Sequence, residues 1–233
     1  MFKIALTAGH YKYTPGKRCL KSLDPSETRE WVLNDRIADK IEKLLKNYDG
    51  YSLLRTDDTT GEKDVSLQAR TDAANKFKAD FYLSIHHNAG INGGSGGGIV
   101  AYVYPKVDAE TKAWQKELYD ALIAKTGLKG NRANPLNSAD LHELRETEAR
   151  AVLLELGFMD SRSDVPQILS EDYANKCAEA IVSVLVKRGG LTKKVTATTD
   201  KLYRVQVGAY SKKENAEAMQ KKLKAAGFDA IIV

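Results

Sequence analysis

Histidine and glutamate side chains stand at the ends of two apolar segments and inside a third. His10 follows the apolar segment 3–8, His86 follows the segment 81–85, and Glu155 interrupts an apolar run. Neutral imidazole is a strong ligand for zinc, and a catalytic zinc takes three protein ligands and keeps one position open. The two imidazoles therefore predict a metal site, with a carboxylate as a common third ligand.

Two glutamates are candidates for the third ligand. Glu27 lies near the end of a polar loop that covers residues 11–28, and Glu30 follows this loop. Glu30 is the better candidate because it begins a predicted helix, where the chain can turn its carboxylate toward the end of the first strand. Glu27 remains the alternative on the residues alone.

Glu155 is the unusual residue of the apolar run 151–158. A carboxylate in a buried strand costs on the order of several kcal/mol unless it is paired, bound to a metal or functional. Burial also raises the pKa of a carboxyl group toward the range that suits a general base. Glu155 is therefore the candidate base.

The hydrophobic pattern predicts the elements that must position these residues. Strands are predicted at 3–8, 51–55, 81–85, 99–104 and 151–156. Helices are predicted at 29–46, 67–77, 111–125 and 173–188. Strands that alternate with helices favour an α/β fold, with a twisted and mostly parallel sheet covered by helices on both faces. The carboxyl ends of parallel strands meet at one edge of the sheet, where His10, His86 and Glu155 can converge.

The bulk composition narrows the class of protein. The chain has 233 residues, 42% of them hydrophobic, and a formal net charge of +5. These values allow one sizeable domain plus a small appendage and argue against disorder. No run approaches the ~18 apolar residues of a membrane span, and no nucleic-acid-binding motif is present. Cys19 and Cys177 are too far apart in the sequence to indicate a zinc cluster or a disulfide framework.

A second, smaller segment follows the α/β pattern. Residues 189–200 are rich in Gly, Lys and Thr and are typical of a linker. A strand at 202–207, a helix at 212–226 and the start of a strand at 230–233 predict a small βαβ segment, with Gly227 as the helix C-cap. The predicted organisation is a main domain at 1–188, a linker at 189–200 and a small segment at 201–233.

Several short motifs, taken in order, resemble those of the zinc-dependent N-acetylmuramoyl-L-alanine amidases, especially those of sporulating bacteria and their phages. They are TAGH at 7–10, EWVLN at 30–34, LRTD at 54–57, Arg70 with Ala74 and Asn75, ADFYLSIHHNA at 79–89, LHELRET at 141–147 and AVLLELGF at 151–158. The resemblance covers residues 1–188 in order and in spacing. It implies the same α/β fold and a peptidoglycan hydrolase.

The resemblance also implies roles for individual residues. His10, Glu30 and His86 match the ligands of Zn²⁺, and Glu155 matches the catalytic glutamate. The implied reaction is cleavage of the amide bond between N-acetylmuramic acid and the L-alanine of the stem peptide. Water activated by zinc would attack, with Glu155 as general base.

Other motif positions receive secondary roles. Arg55, Asp57 and Arg70 match framework positions of the family, and His142 is a candidate substrate contact. His87 is not expected to bind the metal, because neighbouring side chains of a strand point to opposite faces.

The chain departs from the family pattern next to His10. Thr7 stands where the family often has an acidic residue, and Tyr11 stands where it often has a second glycine. The residues that support His10 are therefore expected to differ, and the metal affinity with them.

Residues 202–210, with Gly227 and Phe228, resemble the sporulation-related (SPOR) repeat, a module that binds the cell wall. Only one half of that module is present before Val233. A second copy of the chain could complete it as a homodimer, or the half-repeat could be partly disordered, truncated or a linker remnant. Peptidoglycan is thus the expected partner of both parts of the chain.

Alternatives to the amidase remain at this stage. They are a non-catalytic wall-binding protein, a zinc peptidase that cuts within the stem peptide and, on the basic charge alone, a nucleic-acid binder. The N-terminus runs straight into a strand pattern without the features of a secretory signal peptide. We therefore expect synthesis in the cytoplasm and action on the wall after release, as for a phage endolysin or an autolysin.

Overall fold

The computed structural model describes residues 1–194 and 205–232. Its main feature is a six-stranded sheet with the strand order β3-β1-β4-β7-β5-β6. These strands are β1 (Phe2–Ala8), β3 (Tyr51–Arg55), β4 (Phe81–Asn88), β5 (Ile99–Val103), β6 (Leu136–Ser138) and β7 (Arg150–Phe158). A separate pair is formed by β2 (Tyr48–Asp49) and β8 (Thr192–Lys193).

Helices cover the sheet on both faces. They are α1 (Glu30–Leu45), α2 (Leu67–Phe77), α3 (Ala109–Thr126), α4 (His142–Arg145), α5 (Val165–Ile168) and α6 (Glu171–Gly189). The side chains of Ser66, Asp108 and Ser170 accept a backbone N–H at the starts of α2, α3 and α6, as helix N-caps do. No helix in the described ranges is long and apolar enough to cross a bilayer.

The predicted α/β class with a mostly parallel sheet is confirmed, and one strand pair deviates from it. β5 runs antiparallel to β7, while β6 runs parallel to β5. The connection 89–98 holds no helix, and a parallel crossover needs a dozen or more residues. β5 therefore starts at the edge where β4 ends. The short elements β2, β6, β8, α4 and α5 were not predicted, because they are too short to show a periodic pattern.

Strand β4 lies in the middle of the sheet and separates two hydrophobic clusters. Its residues Phe81, Leu83 and Ile85 pack into the large cluster, with side chains from α1, α3 and α6. Tyr82 belongs to the smaller cluster on the opposite face, with Ala74 of α2. This alternation follows the two-residue period of a strand. It determines the face of the sheet to which each side chain of β4, including His86, points.

The register of the sheet brings the predicted site residues to one edge. β4 pairs in parallel with β1 and with β7, and His86 is the direct partner of Glu155. His10 follows the end of β1 at the same edge. The convergence that the sequence predicted for these three residues is therefore a consequence of parallel pairing.

The chain divides into two compact units, residues 1–194 and 195–233. Among residues 205–232, the regular element is α7 (Lys213–Ala225), which matches the helix predicted at 212–226. Gly227, at a φ of +86°, donates its N–H to Lys224 O, and Phe228 donates to Leu223 O. This is the double hydrogen bond of a Schellman C-cap.

The strands predicted around α7 are not formed in the described part of the second unit. Residues 205–207 and 230–232 have no ladder, and 202–204 and 233 lie outside the described residues. A strand exists only when a neighbouring strand accepts its hydrogen bonds, and no such neighbour is present among residues 205–232. In the described residues 205–232, the predicted βαβ segment is therefore a capped helix flanked by residues without regular structure.

Candidate metal centre and active site

His10, Glu30 and His86 gather at the carboxyl edge of the sheet. One ligand atom from each residue can be chosen so that all lie within 4.8 Å of one another. Nε2 of His10 is 3.3 Å from Oε2 of Glu30, and Nδ1 of His86 is 3.1 Å from Oε1. The carboxylate of Glu30, only 1% exposed, lies between the two imidazoles.

The chemistry of this donor set fits a divalent cation. Donor atoms that share a tetrahedral zinc lie roughly 3.3 Å apart, close to the separations found here. Oε2 of Glu30 is buried and has no hydrogen-bond partner within the described residues. Buried polar atoms are normally satisfied, so a cation bound between these side chains would give the carboxylate the partner it lacks.

The two neighbouring imidazoles control the protonation of Glu30. Burial by itself would raise the pKa of this carboxyl group, but His10 and His86 hold that pKa well below the usual range. The group is thus an anion, the form that binds a metal.

Arg70 fixes the chain around His10. His10 has a left-handed backbone at a φ of +65°, a conformation that costs an L-residue about 1 kcal/mol or more. The buried guanidinium of Arg70 donates to the carbonyls of Ala8 and His10 at 2.7 and 2.9 Å, and to the hydroxyl of Thr7 at 2.6 Å. The framework role predicted for Arg70 is therefore explained: it holds the strained turn that aims His10.

Asn34 and Gly9 fix the other two ligands. The Asn34 amide donates to the carbonyl of Gly9 at 3.1 Å and to Oε1 of Glu30 at 3.4 Å. Gly9 lies against the ring of His86, and a Cβ at Gly9 would stand 2.1 Å from Cε1 of that ring. Neither residue received a role from sequence reasoning, although both lie inside the quoted motifs.

His86 and His87 point to opposite faces of β4, as the strand period requires. The ring of His87 lies on the α1 side, with Nδ1 2.8 Å from Oδ1 of Asn34. Burial lowers the pKa of His87 to about 3, so this ring is neutral. It supports Asn34 and is not part of the metal cluster.

Glu155 stands next to the cluster on the neighbouring strand β7. It is the register partner of His86, so both side chains project from the same face of the sheet. Its Oε2 is buried without a hydrogen-bond partner among the described residues. Burial raises the pKa of Glu155 to about 7, although the charge of His86 acts in the opposite direction. A carboxyl group with these properties can take up and release a proton near neutral pH.

Glu143 is a neighbour of the cluster that sequence reasoning missed. Its buried Oε2 lies 3.7 Å from Nε2 of His86, on the side of the ring opposite Glu30. The hydroxyls of Tyr82 and Ser84 donate to its two oxygens at 2.5 and 3.1 Å. A signal was present in the sequence: Tyr82, Ser84 and His86 place polar groups at alternate positions of an apolar strand. Such a stripe indicates a buried polar partner.

The remaining candidates lie outside the cluster. Glu27, the alternative third ligand, pairs with Arg18 at 3.1 Å. His142 lies with Nε2 3.4 Å from the hydroxyl of Thr71 on α2, among residues that support the sheet. Its substrate contact remains a prediction.

The second framework pair predicted from the sequence lies at the edge strand of the sheet. Arg55 is at the end of β3 and binds the carboxylate of Asp57 at 2.6 Å. It also reaches Asp35 and Asp39 of α1, at 2.6 and 2.9 Å. These bonds tie the helix that begins with Glu30 to the sheet.

We predict that Gly9→Ala abolishes metal binding and leaves the chain folded. The added methyl group would occupy the space of the His86 ring, so the ring must leave the cluster. Metal affinity is measured by competition with a chromophoric chelator, and folding by circular dichroism. Gly94→Ala is the control, because Gly94, like Gly9, has no left-handed φ, and its added Cβ would come no closer than 3.2 Å to another atom. Gly9→Ala with the affinity of the wild type would contradict this prediction.

Comparison with known proteins agrees with this geometry. Residues 4–187 match the family model Amidase_3, described as N-acetylmuramoyl-L-alanine amidase. Residues 176–233 match the SPOR domain family. The two matches overlap within α6. Both resemblances inferred from the motifs are therefore confirmed.

Individual relatives give the same result. The chain is 33% identical over 234 residues to the sporulation-specific N-acetylmuramoyl-L-alanine amidase of Bacillus subtilis, covering all of this chain and 85% of the relative. It is 29% identical to the endolysin of Bacillus phage SPP1, over 81% of this chain and 66% of that protein. The crystal structure of an N-acetylmuramoyl-L-alanine amidase from Clostridium difficile 630 superposes with a TM-score of 0.71 and 25% identity, covering 80% of this chain and 95% of that one.

The family match covers the six-stranded sheet from Ile4 onward and every residue of the cluster. It includes the edge where His10, Glu30, His86 and Glu155 meet. The chain therefore belongs to the N-acetylmuramoyl-L-alanine amidase family of peptidoglycan hydrolases.

Proposed function

We propose that this amidase cleaves the bond between N-acetylmuramic acid and L-alanine with a zinc ion held by His10, Glu30 and His86, and with Glu155 as the general base. The observation that carries the proposal is the meeting of two imidazoles and one buried carboxylate at a single point. A His₂Glu set with an open position is a donor set of catalytic zinc. When bound, zinc supplies a Lewis acid that polarises an amide carbonyl and acidifies water.

Glu155 moves the proton in this proposal. Its unpartnered Oε2 accepts a proton from the attacking water and then delivers it to the nitrogen of the leaving L-alanine. The same group can act as base and then as acid because its pKa, raised by burial to about 7, lies near the working pH. Removing a general base of this kind costs typically 10²–10⁴-fold in rate.

The other residues hold this arrangement in place. Arg70 keeps the His10 turn, and Asn34 ties Glu30 to the Gly9 backbone. Lys17 extends over the centre, with Nζ 3.7 Å from Oε2 of Glu30 and its side chain half exposed. Loops 11–28 and 127–138 are proposed to recognise muramic acid and the stem peptide.

The geometry disfavours one rival function, and the reaction products separate the other. A non-catalytic wall-binding protein would have no use for a complete ligand set next to a buried acid. A zinc peptidase that cuts within the stem peptide would use the same chemistry, so the products must distinguish it from an amidase.

The chain acts on the cell wall, and we propose that its second unit contributes to wall binding. The SPOR match includes all of α7 and its flanks. Residues 201–233 are accordingly proposed as a wall-binding segment, with residues 1–188 as the catalytic domain and 189–200 as the linker. Homodimer formation through this segment stays a prediction.

We predict that chelation of the metal stops the digestion of purified cell walls and that added Zn²⁺ restores it. Mass spectrometry should find intact stem peptides with a free L-alanine amine. Glu30→Gln should lose both activity and Zn²⁺ binding, because it removes the charge shared by the two imidazoles. Glu27→Gln is the matched control for the choice of ligand and should retain Zn²⁺ binding. Cuts within the stem peptide would indicate the peptidase, and digestion that persists in chelator would refute the metal site.

We predict that Glu155→Gln lowers kcat by about 10²–10⁴-fold while Zn²⁺ affinity stays within a few-fold. In the wild type, kcat/KM should fall as the pH drops below about 7, because Glu155 gains a proton there and can no longer act as a base. Glu148→Gln, an exposed residue before β7, is the control. A Glu155→Gln enzyme with wild-type turnover would exclude the proposed role.

We predict that the chain shortened to residues 1–194 sediments less with insoluble walls and cleaves soluble muropeptides at an unchanged rate. The reason is that every residue of the proposed centre belongs to the first unit. Both quantities are measured on the same preparations. Equal sedimentation of the full and shortened chains would show that residues 195–233 do not bind the wall.

A further inference from the structure

The ring of His86 lies between two carboxylates. Nδ1 is 3.1 Å from Oε1 of Glu30, and Nε2 is 3.7 Å from Oε2 of Glu143. The first carboxylate belongs to the metal cluster, and the second does not. The two nitrogens of the ring are therefore in different chemical surroundings, one facing the cluster and one facing the α4 side.

Glu143 is held rigidly in this position. It is 4% exposed, and the hydroxyls of Tyr82 and Ser84 each donate to one of its oxygens. Both hydroxyls come from β4, four and two positions before His86 and on the same face. The same strand thus fixes the imidazole and the carboxylate beside it. Such a carboxylate cannot turn away from the ring without losing two hydrogen bonds.

Glu143 and Arg70 are charged groups that are buried on the same side of the sheet. The four hydrogen bonds of the Arg70 side chain go to uncharged oxygens, including the hydroxyl of Thr7. Thr7 is the register partner of Ser84, which binds Glu143. The two buried charges are therefore held by neighbouring side chains of β1 and β4, so Glu143 has two candidate roles: balancing Arg70 or orienting His86.

We propose that Glu143 is a positioning residue for His86: it accepts the Nε2–H of the ring, so that Nδ1 carries the lone pair that faces Glu30 and the metal. Nε2 of His86 is buried and has no hydrogen-bond partner in the described ranges. It gains this partner when the ring and Glu143 move closer by a few tenths of an ångström. A carboxylate in this place fixes the tautomer of a ligating histidine and raises its basicity. This inference rests on the metal site of the proposed function.

The test uses the full-length protein and measures the affinity for Zn²⁺ and for Co²⁺ by chelator competition. Glu143→Ala should weaken binding by about 10–100-fold, the range found when such supporting carboxylates are removed. Glu143→Gln, whose amide oxygen can still accept the Nε2–H, should lie at or below the lower end of that range. Asp164→Asn is the control: it changes another fully buried carboxylate, which binds the backbone of Gly98 and Phe158, and it should leave the affinity unchanged.

A second variant separates positioning from charge balance. Thr7→Asp, introduced into Glu143→Ala, returns a carboxylate to the side of Arg70 but not to the side of His86. We expect the double variant to have a higher unfolding midpoint than Glu143→Ala alone, while its Zn²⁺ affinity stays weak. Recovery of the affinity beyond the gain that Thr7→Asp gives in the wild-type background would show that Glu143 only balances Arg70, and would overturn the proposal.

The tautomer gives a direct readout. The chain has 4 histidines, so long-range ¹H–¹⁵N spectra of the Zn²⁺-loaded protein can be assigned with His86→Ala. The wild type should show a protonated Nε2 on His86, and Glu143→Ala should show loss or mixing of this tautomer. A wild type with a protonated Nδ1, or Glu143 variants with full affinity, would refute the inference. Failure of the wild type to bind Zn²⁺, or a His10→Ala variant that binds it normally, would instead refute the proposed metal site.

Discussion

The carboxylate of Glu30 is the group on which the arrangement of the active site depends. It is almost completely buried, and an uncompensated buried charge costs on the order of several kcal/mol. Here two imidazoles compensate it from either side. The helix that carries Glu30 begins at this residue, so the same contact fixes the start of α1, the turn after β1 and the end of β4.

Around this contact, the chain uses uncharged backbone groups and small residues to keep the ligands in place. Arg70 binds the carbonyls of the strained His10 turn, and Gly9 leaves the space that the His86 ring occupies. The proposed metal ligands are thus supported by residues outside the proposed ligand set. This is the usual way in which a site of high precision is built on rigid strands.

The sheet places acids with different surroundings around one imidazole. Glu30 lies between two histidines, Glu143 accepts hydrogen bonds from two hydroxyls, and Oε2 of Glu155 has no partner within the described residues. Their pKa values separate accordingly: that of Glu30 is lowered, that of Glu143 is lowered to about 2 against the effect of burial, and burial raises that of Glu155 to about 7. Groups whose surroundings push their pKa values apart can divide the roles of ligand, support and base.

The sequence by itself determined the α/β class, the longer elements and the strands on which, or just after which, His10, His86 and Glu155 stand, because long periodic patterns and buried charges are local signals. It left Glu27 and Glu30 as alternatives until the family motifs were considered, and it gave Glu143, Asn34 and Gly9 no role. Only the tertiary structure decided these points. Distances between residues far apart in the sequence depend on strand register and helix packing, and no local pattern records which side of the His86 ring meets which carboxylate.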